Sequence, residues 1–190
     1  GSQMGYFLLR SSPDLFNGEA PVHVLDWGSG RIHRVVRSTL AAEAASASHA
    51  ADRATYMRAL IGEALYGYNK NWRDMVASVK SGFATDCNSL YDLCRKHGSL
   101  PTERRVALDL LDVREGLEEF GDQVRWIPTT HMLSDALTKH MPSDLILKVL
   151  HEGVYAFKYS EEIETAKKKA KQQRALLRQA ASSSTTSVVH

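Results

Sequence analysis

The chain has 190 residues, of which 43% are hydrophobic, and this suits one domain of ordinary size with a buried core and an appendage. No apolar run approaches the roughly 20 residues of a membrane-spanning helix, and the N-terminal residues lack the length and cleavage pattern of a secretory signal peptide. The net charge of +2 combines a mildly acidic body with a basic stretch, because residues 166–180 contain six lysines and arginines and no acid.

The first predicted elements are short strands followed by a long helix. Residues 5–9 and 20–27 are apolar runs that stop at SSPD and GSG respectively, as strands do at turns. Residues 31–37 alternate like a polar-leaning strand, although a loop also fits. From Ser38 the apolar period becomes helical and continues as far as YGYN, with Ser38 or Thr39 as the N-cap.

In the rest of the chain, strand-like runs alternate with helical periods. This order predicts an α/β fold, a mixed sheet with helices packed on it, over residues 1–141. A helical extension with a basic end is expected over 142–180, and the polar residues 181–190 are expected to be disordered. The predicted elements are strands at 78–86 and 122–128 and helices at 87–98, 101–121, 131–141, 143–153 and 159–180.

The two cysteines predict reduced thiols. Cys87 and Cys94 fall in the same predicted helix, where a disulfide is geometrically awkward, and no second cysteine pair offers a zinc site. Together with the missing export signal, this predicts an intracellular protein, in the cytoplasm or the nucleus.

Three acids fall at positions that an α/β fold brings together. Glu43 lies in the first turns of the long helix among alanines, Asp86 ends a predicted strand, and Asp135 lies one turn into a helix that follows the next strand. Strand ends and the helix starts beside them gather in one crevice of such a sheet. Carboxylates that converge there repel each other unless cations neutralise them, and hard oxygen ligands favour Mg²⁺ or Mn²⁺.

Each acid also has a simpler interpretation. Asp86 could serve only as the N-cap of the next helix, and Asp135 could be a surface acid favoured by the helix dipole. Glu43 could be solvated at the edge of its helix. On these interpretations the chain is an unrelated α/β domain, and the spacing of the acids alone does not decide.

Four phrases surround these acids: RSTLAAEA (37–44), TDCNSLYDL (85–93), ERRVALDLLDVRE (103–115) and VRWIPTTHMLSDALTK (124–139). In order and approximate spacing they resemble the ribonuclease H domain of copia-type retrotransposon polyproteins. The resemblance runs from about Gly5 to Lys139. Its most specific part is a tryptophan-containing strand followed by LSDALTK.

The resemblance implies a ribonuclease H fold and cleavage of the RNA strand of an RNA/DNA hybrid with two Mg²⁺ or Mn²⁺ ions. It implies catalytic, metal-ligand roles for Glu43, Asp86 and Asp135. The implied partners are the RNA/DNA hybrid and the rest of a reverse transcriptase polyprotein. Two metal ions can activate a water and stabilise the leaving oxygen of a phosphodiester, while the protein supplies carboxylates and geometry.

One departure from the family affects the predicted activity. The family's first strand carries the first metal-ligand aspartate and lies in the middle of the sheet, whereas GSQMGYFLL matches the second strand. Neither Asp14 nor Asp26 matches the missing ligand. We therefore expect a fragment of a longer polyprotein or a derived copy that lost the strand, with weak or no activity. The alternative is a non-catalytic ribonuclease H-like module that binds nucleic acid or protein.

Hybrids are recognised through phosphates and 2′-hydroxyls, so contact residues should be hydrogen-bond donors and cations. His131, four residues before Asp135, is a candidate general base or part of a polar cluster at a helix start. The basic C-terminal helix could clamp nucleic acid, dock on another part of a polyprotein or only solubilise the C-terminus. The candidate hybrid contacts are Arg31, Arg37, Asn88, Ser89, Arg104, Arg105 and Lys139.

Overall fold

The chain has a mixed α/β fold in a computed structural model that describes residues 2–68, 70–96, 98–139 and 144–157. The predicted α/β class is confirmed, whereas the helix predicted at 159–180 and the tail at 181–190 lie outside the described residues. The elements in chain order are β1 (Gln3–Ser11), β2 (Glu19–Arg31), α1 (Thr39–Tyr66), α2 (Trp72–Ser78), β3 (Gly82–Thr85), α3 (Asn88–Arg95), α4 (Arg104–Glu119), β4 (Gln123–Trp126), α5 (Asp135–Thr138), α6 (Asp144–Glu152) and β5 (Val154–Ala156).

The described strands form two sheets where one mixed sheet was predicted. One sheet has the order β1-β2-β5 and is antiparallel, and the other joins β3 and β4 in parallel. Within the described residues, β1 and β3 are therefore edge strands of different sheets.

The second strand runs through the GSG sequence that was predicted to end it. Tyr6 of β1 pairs with Gly28 of β2, and a Cβ atom on Gly28 would lie 2.6 Å from the Tyr6 ring. Here glycine makes room for an aromatic ring and does not form a turn. After Arg31, residues 32–37 form bends and irregular structure, so the loop alternative for 31–37 is the one observed.

The long helix begins where its cap was predicted. The Ser38 hydroxyl accepts a hydrogen bond from the Ala41 N–H at 3.1 Å, and α1 runs from Thr39 to Tyr66. Ala41, Ala44 and Ala47 form its buried stripe. These small side chains let α1 lie close against α3, α4 and β3, whose contributions to this core include Leu90, Leu110 and Phe83.

A short helix, α2, was not predicted from the sequence. The Asn71 side chain caps it by accepting a hydrogen bond from the Arg73 N–H at 3.2 Å. Its close approach to α1 depends on Gly62, where a Cβ atom would lie 2.4 Å from the Met75 carbonyl oxygen.

A second core lies under the antiparallel sheet. Val22 of β2, Ile127 and Leu133 after β4, Val149 of α6 and Tyr155 of β5 are all buried in it. The described part of residues 142–158 thus packs in the same compact unit as the N-terminal strands. No helix in the described ranges combines the length and apolarity needed to cross a membrane.

Candidate carboxylate site

The three predicted acids come from three different elements. Glu43 lies in the second turn of α1, Asp86 directly follows β3, and Asp135 is the first residue of α5. Because β3 and β4 are parallel, the segments that leave their C-terminal ends start from the same edge, and these segments carry Asp86 and lead to Asp135.

The charges of Asp86 and Asp135 act on Glu43. Burial raises the pKa of Glu43 above its ordinary value, and the negative charges of Asp86 and Asp135 raise it further, whereas Lys139 opposes this. Glu43 is half-buried, so a side chain at the edge of its helix is only partly solvated. The sequence argument that these carboxylates gather in one place is supported by this electrostatic coupling.

Asp135 is buried and bound to a cation from its own segment. The residue is 7% exposed, which rules out a surface acid, and one carboxylate oxygen lies 2.6 Å from the Lys139 Nζ. Burial lowers the pKa of Lys139, but its hydrogen bond to Asp135 and the charges of Asp135, Asp86 and Glu43 raise it overall. The Lys139 ammonium therefore lies within electrostatic range of all three carboxylates.

Asp86 is held by residues that follow the neighbouring strand. The Thr129 hydroxyl donates a hydrogen bond to Asp86 Oδ2 at 2.7 Å, and the Trp126 indole N–H donates to the Asp86 carbonyl at 2.9 Å. The N-cap of α3 is Cys87, so the interpretation of Asp86 as that cap is wrong. The hydrogen bond from Thr129 to Asp86 was not predicted, because the two residues are 43 positions apart and no local sequence pattern indicates such a contact.

Two residues of the antiparallel sheet fix the position of α5. The Ser29 hydroxyl donates a hydrogen bond to the Leu137 carbonyl at 2.6 Å, across the two chain segments. A Cβ atom on Gly5 would lie 2.7 Å from a Thr138 methyl carbon. The glycine lets α5 rest on β1, and this places Asp135 next to the sheet.

The donor chemistry of the site suits a divalent cation, but its arrangement does not. Three carboxylates are the ligand type that Mg²⁺ and Mn²⁺ prefer. Among the described residues, however, no three histidine, cysteine, aspartate or glutamate side chains are placed to hold one metal ion. One oxygen of Asp135 is instead bound by an ammonium. The residues in this arrangement therefore do not fit a metal ion.

His131 lies in a single 3₁₀ turn, Thr129–His131, that precedes α5. Its ring Nδ1 lies 3.0 Å from the Thr130 hydroxyl, and its carbonyl accepts a hydrogen bond from the Tyr155 hydroxyl. These contacts match the polar cluster at a helix start, and the general-base role stays a prediction.

The predicted hybrid contacts are all exposed. Asn88 and Ser89 lie in the first turn of α3, next to Asp86. Lys139 differs from the others because its ammonium binds Asp135. Contact with nucleic acid stays a prediction for all of them, and the remaining four are Arg31, Arg37, Arg104 and Arg105.

No protein-family model matches the sequence, and no curated protein matches it significantly.

Proposed function

We propose that the chain is a ribonuclease H-type module of a retroelement polyprotein. In this proposal Glu43, Asp86 and Asp135 belong to a centre for metal-dependent hydrolysis of the RNA strand of RNA/DNA hybrids. The chain by itself is impaired, because its acids do not form a complete metal site. The observation that carries the proposal is the gathering of these three carboxylates from α1, the end of β3 and the start of α5.

The electrostatics of the cluster support a functional origin. Half-burying Glu43 beside two other carboxylates raises its pKa, which means that its charge is unfavourable in the folded protein. Groups perturbed in this way by burial and by neighbouring charges concentrate at functional sites. An arrangement of acids selected only for stability would avoid this repulsion.

The division of the strands into two sheets also supports the proposal. In the ribonuclease H family, a strand carrying an aspartate lies in the middle of the sheet. Here β1 and β3 are edge strands of two sheets, within the described residues. β1 adjoins α1 through the hydrogen bonds between Gly5 and Ser46, and Phe83 of β3 packs against the core to which α1 contributes its alanines. A central strand between β1 and β3 would account for this break and would supply a fourth carboxylate.

The exposed donors beside the acids suit the proposed substrate. Asn88 and Ser89 lie two and three positions after Asp86 and can donate to phosphate oxygens or 2′-hydroxyls. Arg104 and Arg105 are exposed at the start of α4 and add positive charge. These contacts do not read bases, as expected for a nuclease that acts on hybrids of any sequence.

A second candidate function is a non-catalytic module of the same fold that binds nucleic acid or protein. The bond between Lys139 and Asp135 favours it, because a cation is already supplied to the acids by the chain. Such a module would bind an RNA/DNA hybrid in the presence of a metal chelator, and replacing Arg104 and Arg105 by glutamine would weaken that binding.

The deciding experiment restores the missing acid. The chain is fused at its N-terminus to a β-strand carrying an aspartate, and the matched control carries asparagine in the same strand. Cleavage of a labelled RNA/DNA hybrid is measured in Mg²⁺ and in Mn²⁺. We expect cleavage by the aspartate fusion, its loss when Glu43→Gln and Asp86→Asn are introduced, and little or none by the asparagine fusion or the original chain. Absence of cleavage in every form, with all of them folded, would reject the nuclease and leave the binding module.

A further inference from the structure

The outer face of α4 carries two leucines between opposite charges. Its residues recur at spacings of four, three and four positions, and all four are exposed: Arg104, Leu108, Leu111 and Glu115. Leu108 is 66% exposed and Leu111 is 45% exposed, so among the described residues both apolar side chains are open to solvent. This spacing is the one at which two helices pair through a narrow apolar stripe.

The charges of α4 are placed against its own dipole. Arg104 and Arg105 open the helix, acids that include Glu115 and Glu119 lie near its end, and there is no acid in the first turn and no base in the last. A helix dipole favours the opposite order. The Arg73 Nε lies 2.7 Å from Glu119, whereas the shortest distance from the Arg73 guanidinium to Glu115 is 3.9 Å. The Glu115 side chain is 58% exposed and is therefore accessible to a further cation.

The four residues of this face match a second copy of α4 that runs in the opposite direction. When a twofold axis lies midway between Leu108 and Leu111, Arg104 faces Glu115 of the second copy and Leu108 faces its Leu111. The axis repeats each contact, so one helix pair contains two leucine contacts and two ion pairs. A parallel copy would instead place arginine on arginine and glutamate on glutamate.

We propose that α4 is a self-association surface, through which two molecules of this chain form an antiparallel dimer with twofold symmetry. The occupant of the exposed face is a second copy, because the charges of the face complement themselves in that orientation. The inference goes beyond the proposed function and does not rest on it. It assigns Arg104 to the interface, whereas Arg105 lies about 100° further around the helix and stays available for the predicted contact with nucleic acid.

The dimer that this surface can form is weak. A standard interface buries about 800 Å² per partner, and a stripe of about three helical turns covers less than that. Exposed ion pairs add little affinity, and their main effect is to select the orientation of the two helices. We therefore expect a reversible dimer with a dissociation constant on the order of 100 µM.

The test is sedimentation equilibrium of the full 190-residue chain at concentrations up to the millimolar range. Arg104→Glu and Glu115→Arg each introduce two like-charge contacts into the pair, so each should weaken the dimer roughly tenfold. Leu108→Ser should weaken it as well, because it removes both leucine contacts. The matched control is Leu150→Ser on α6, where the leucine is 59% exposed, and it should leave the dimer unchanged.

The decisive variant carries both charge reversals, Arg104→Glu and Glu115→Arg. It has the net charge of the original chain and again places opposite charges across the antiparallel pair, so it should recover the original dissociation constant. Circular dichroism checks that every variant is folded.

Three results would overturn the proposal: a monomer at every concentration, a dimer that the single reversals leave unchanged, or a double variant that stays as weak as the single ones. The samples contain no nucleic acid and no metal ion. Their outcome is therefore independent of the cleavage experiment, and either proposal can fail without the other.

Discussion

Two ion pairs of the molecule have opposite designs. Arg58 of α1 and Asp122, which precedes β4, lie 2.8 Å apart with side chains only 6% and 12% exposed, whereas Lys139 reaches Asp135 from solvent. Arg58 also donates to the Val79 carbonyl at 2.8 Å and lies over the Phe120 ring. The first pair ties α1 to the segments around α2, β3 and α4. An ion pair with two buried side chains, such as Arg58 and Asp122, stabilises the fold. A pair with one solvated side chain, such as Lys139 and Asp135, contributes less.

The strongest test of this difference between the two ion pairs is to remove one cation at a time. Arg58→Met leaves Asp122 buried without its partner, so the free energy of unfolding should fall by about 3–5 kcal/mol. Lys139→Gln should lower it by about 1 kcal/mol or less. Denaturant unfolding measures both. The double variant Arg58→Met, Asp122→Leu should recover most of the loss, and similar losses in the two single variants would contradict the distinction.

The alanine stripe of α1, the helix that also carries Glu43, is part of the buried core. Ala44 is fully buried against α3 and α4, so Ala44→Leu overpacks this core and should cost about 1–3 kcal/mol of stability. Ala64 lies exposed on the same helix, and Ala64→Leu is the matched control with little expected effect. Thermal or denaturant unfolding measures both variants. Equal effects at the two positions would mean that α1 is not packed as described.

The smallest expected effects concern Glu43 and Asp26, whose contributions to stability change with pH in opposite directions. The pKa of Glu43 is raised above its ordinary value of 4.5, chiefly by burial, so the folded protein holds this proton more tightly than the unfolded chain. Ionised Glu43 therefore costs stability above the folded-state pKa and costs nothing well below pH 4.5. In a metal chelator, Glu43→Gln should raise Tm by about 2 °C at neutral pH, and the gain should vanish on acidification.

Asp26 is the control, because its contribution to stability changes with pH in the direction opposite to that of Glu43. Its hydrogen bond with Arg53 lowers the pKa of Asp26, so the ionised form stabilises the protein at neutral pH, and this stability is lost as the pH falls through the folded-state pKa. Asp26→Asn should thus lower Tm at neutral pH, with the difference shrinking on acidification. A gain from Glu43→Gln that persists at low pH would show that burial of its charge is not the cause.

Local signals in the sequence predicted the elements that position the site. Ser38 as a cap and the helical alanine period were enough for α1, and the parallel pairing of β3 with β4 starts the segments that carry Asp86 and lead to Asp135 from the same sheet edge. The pairing of Lys139 with Asp135 had a readable signal as well, the i,i+4 spacing of opposite charges. The role predicted for Lys139 was contact with nucleic acid, and that role stays a prediction.

Other features depend on contacts that are distant in sequence. The three residues of β5 are too few to show a pattern, and they become a strand by pairing with residues 19–21 of β2. In the sequence Gly28 indicates a turn, whereas in the structure the Tyr6 ring packs against it. Arg58 and Asp122 are 64 positions apart, and neither has a local sign of its partner. The ribonuclease H fold itself stays a proposal.

The contact between Ser46 and Gly5 has a consequence for how molecules of this protein behave together. The Ser46 hydroxyl of α1 accepts a hydrogen bond from the Gly5 N–H at 3.3 Å and donates one to the Gly5 carbonyl at 3.2 Å. An edge strand with free backbone groups is a template for aggregation with other chains. At Gly5 a helix side chain satisfies both backbone groups, so any strand that pairs with this part of the β1 edge, whether from another molecule or the proposed central strand, must first displace the Ser46 hydroxyl.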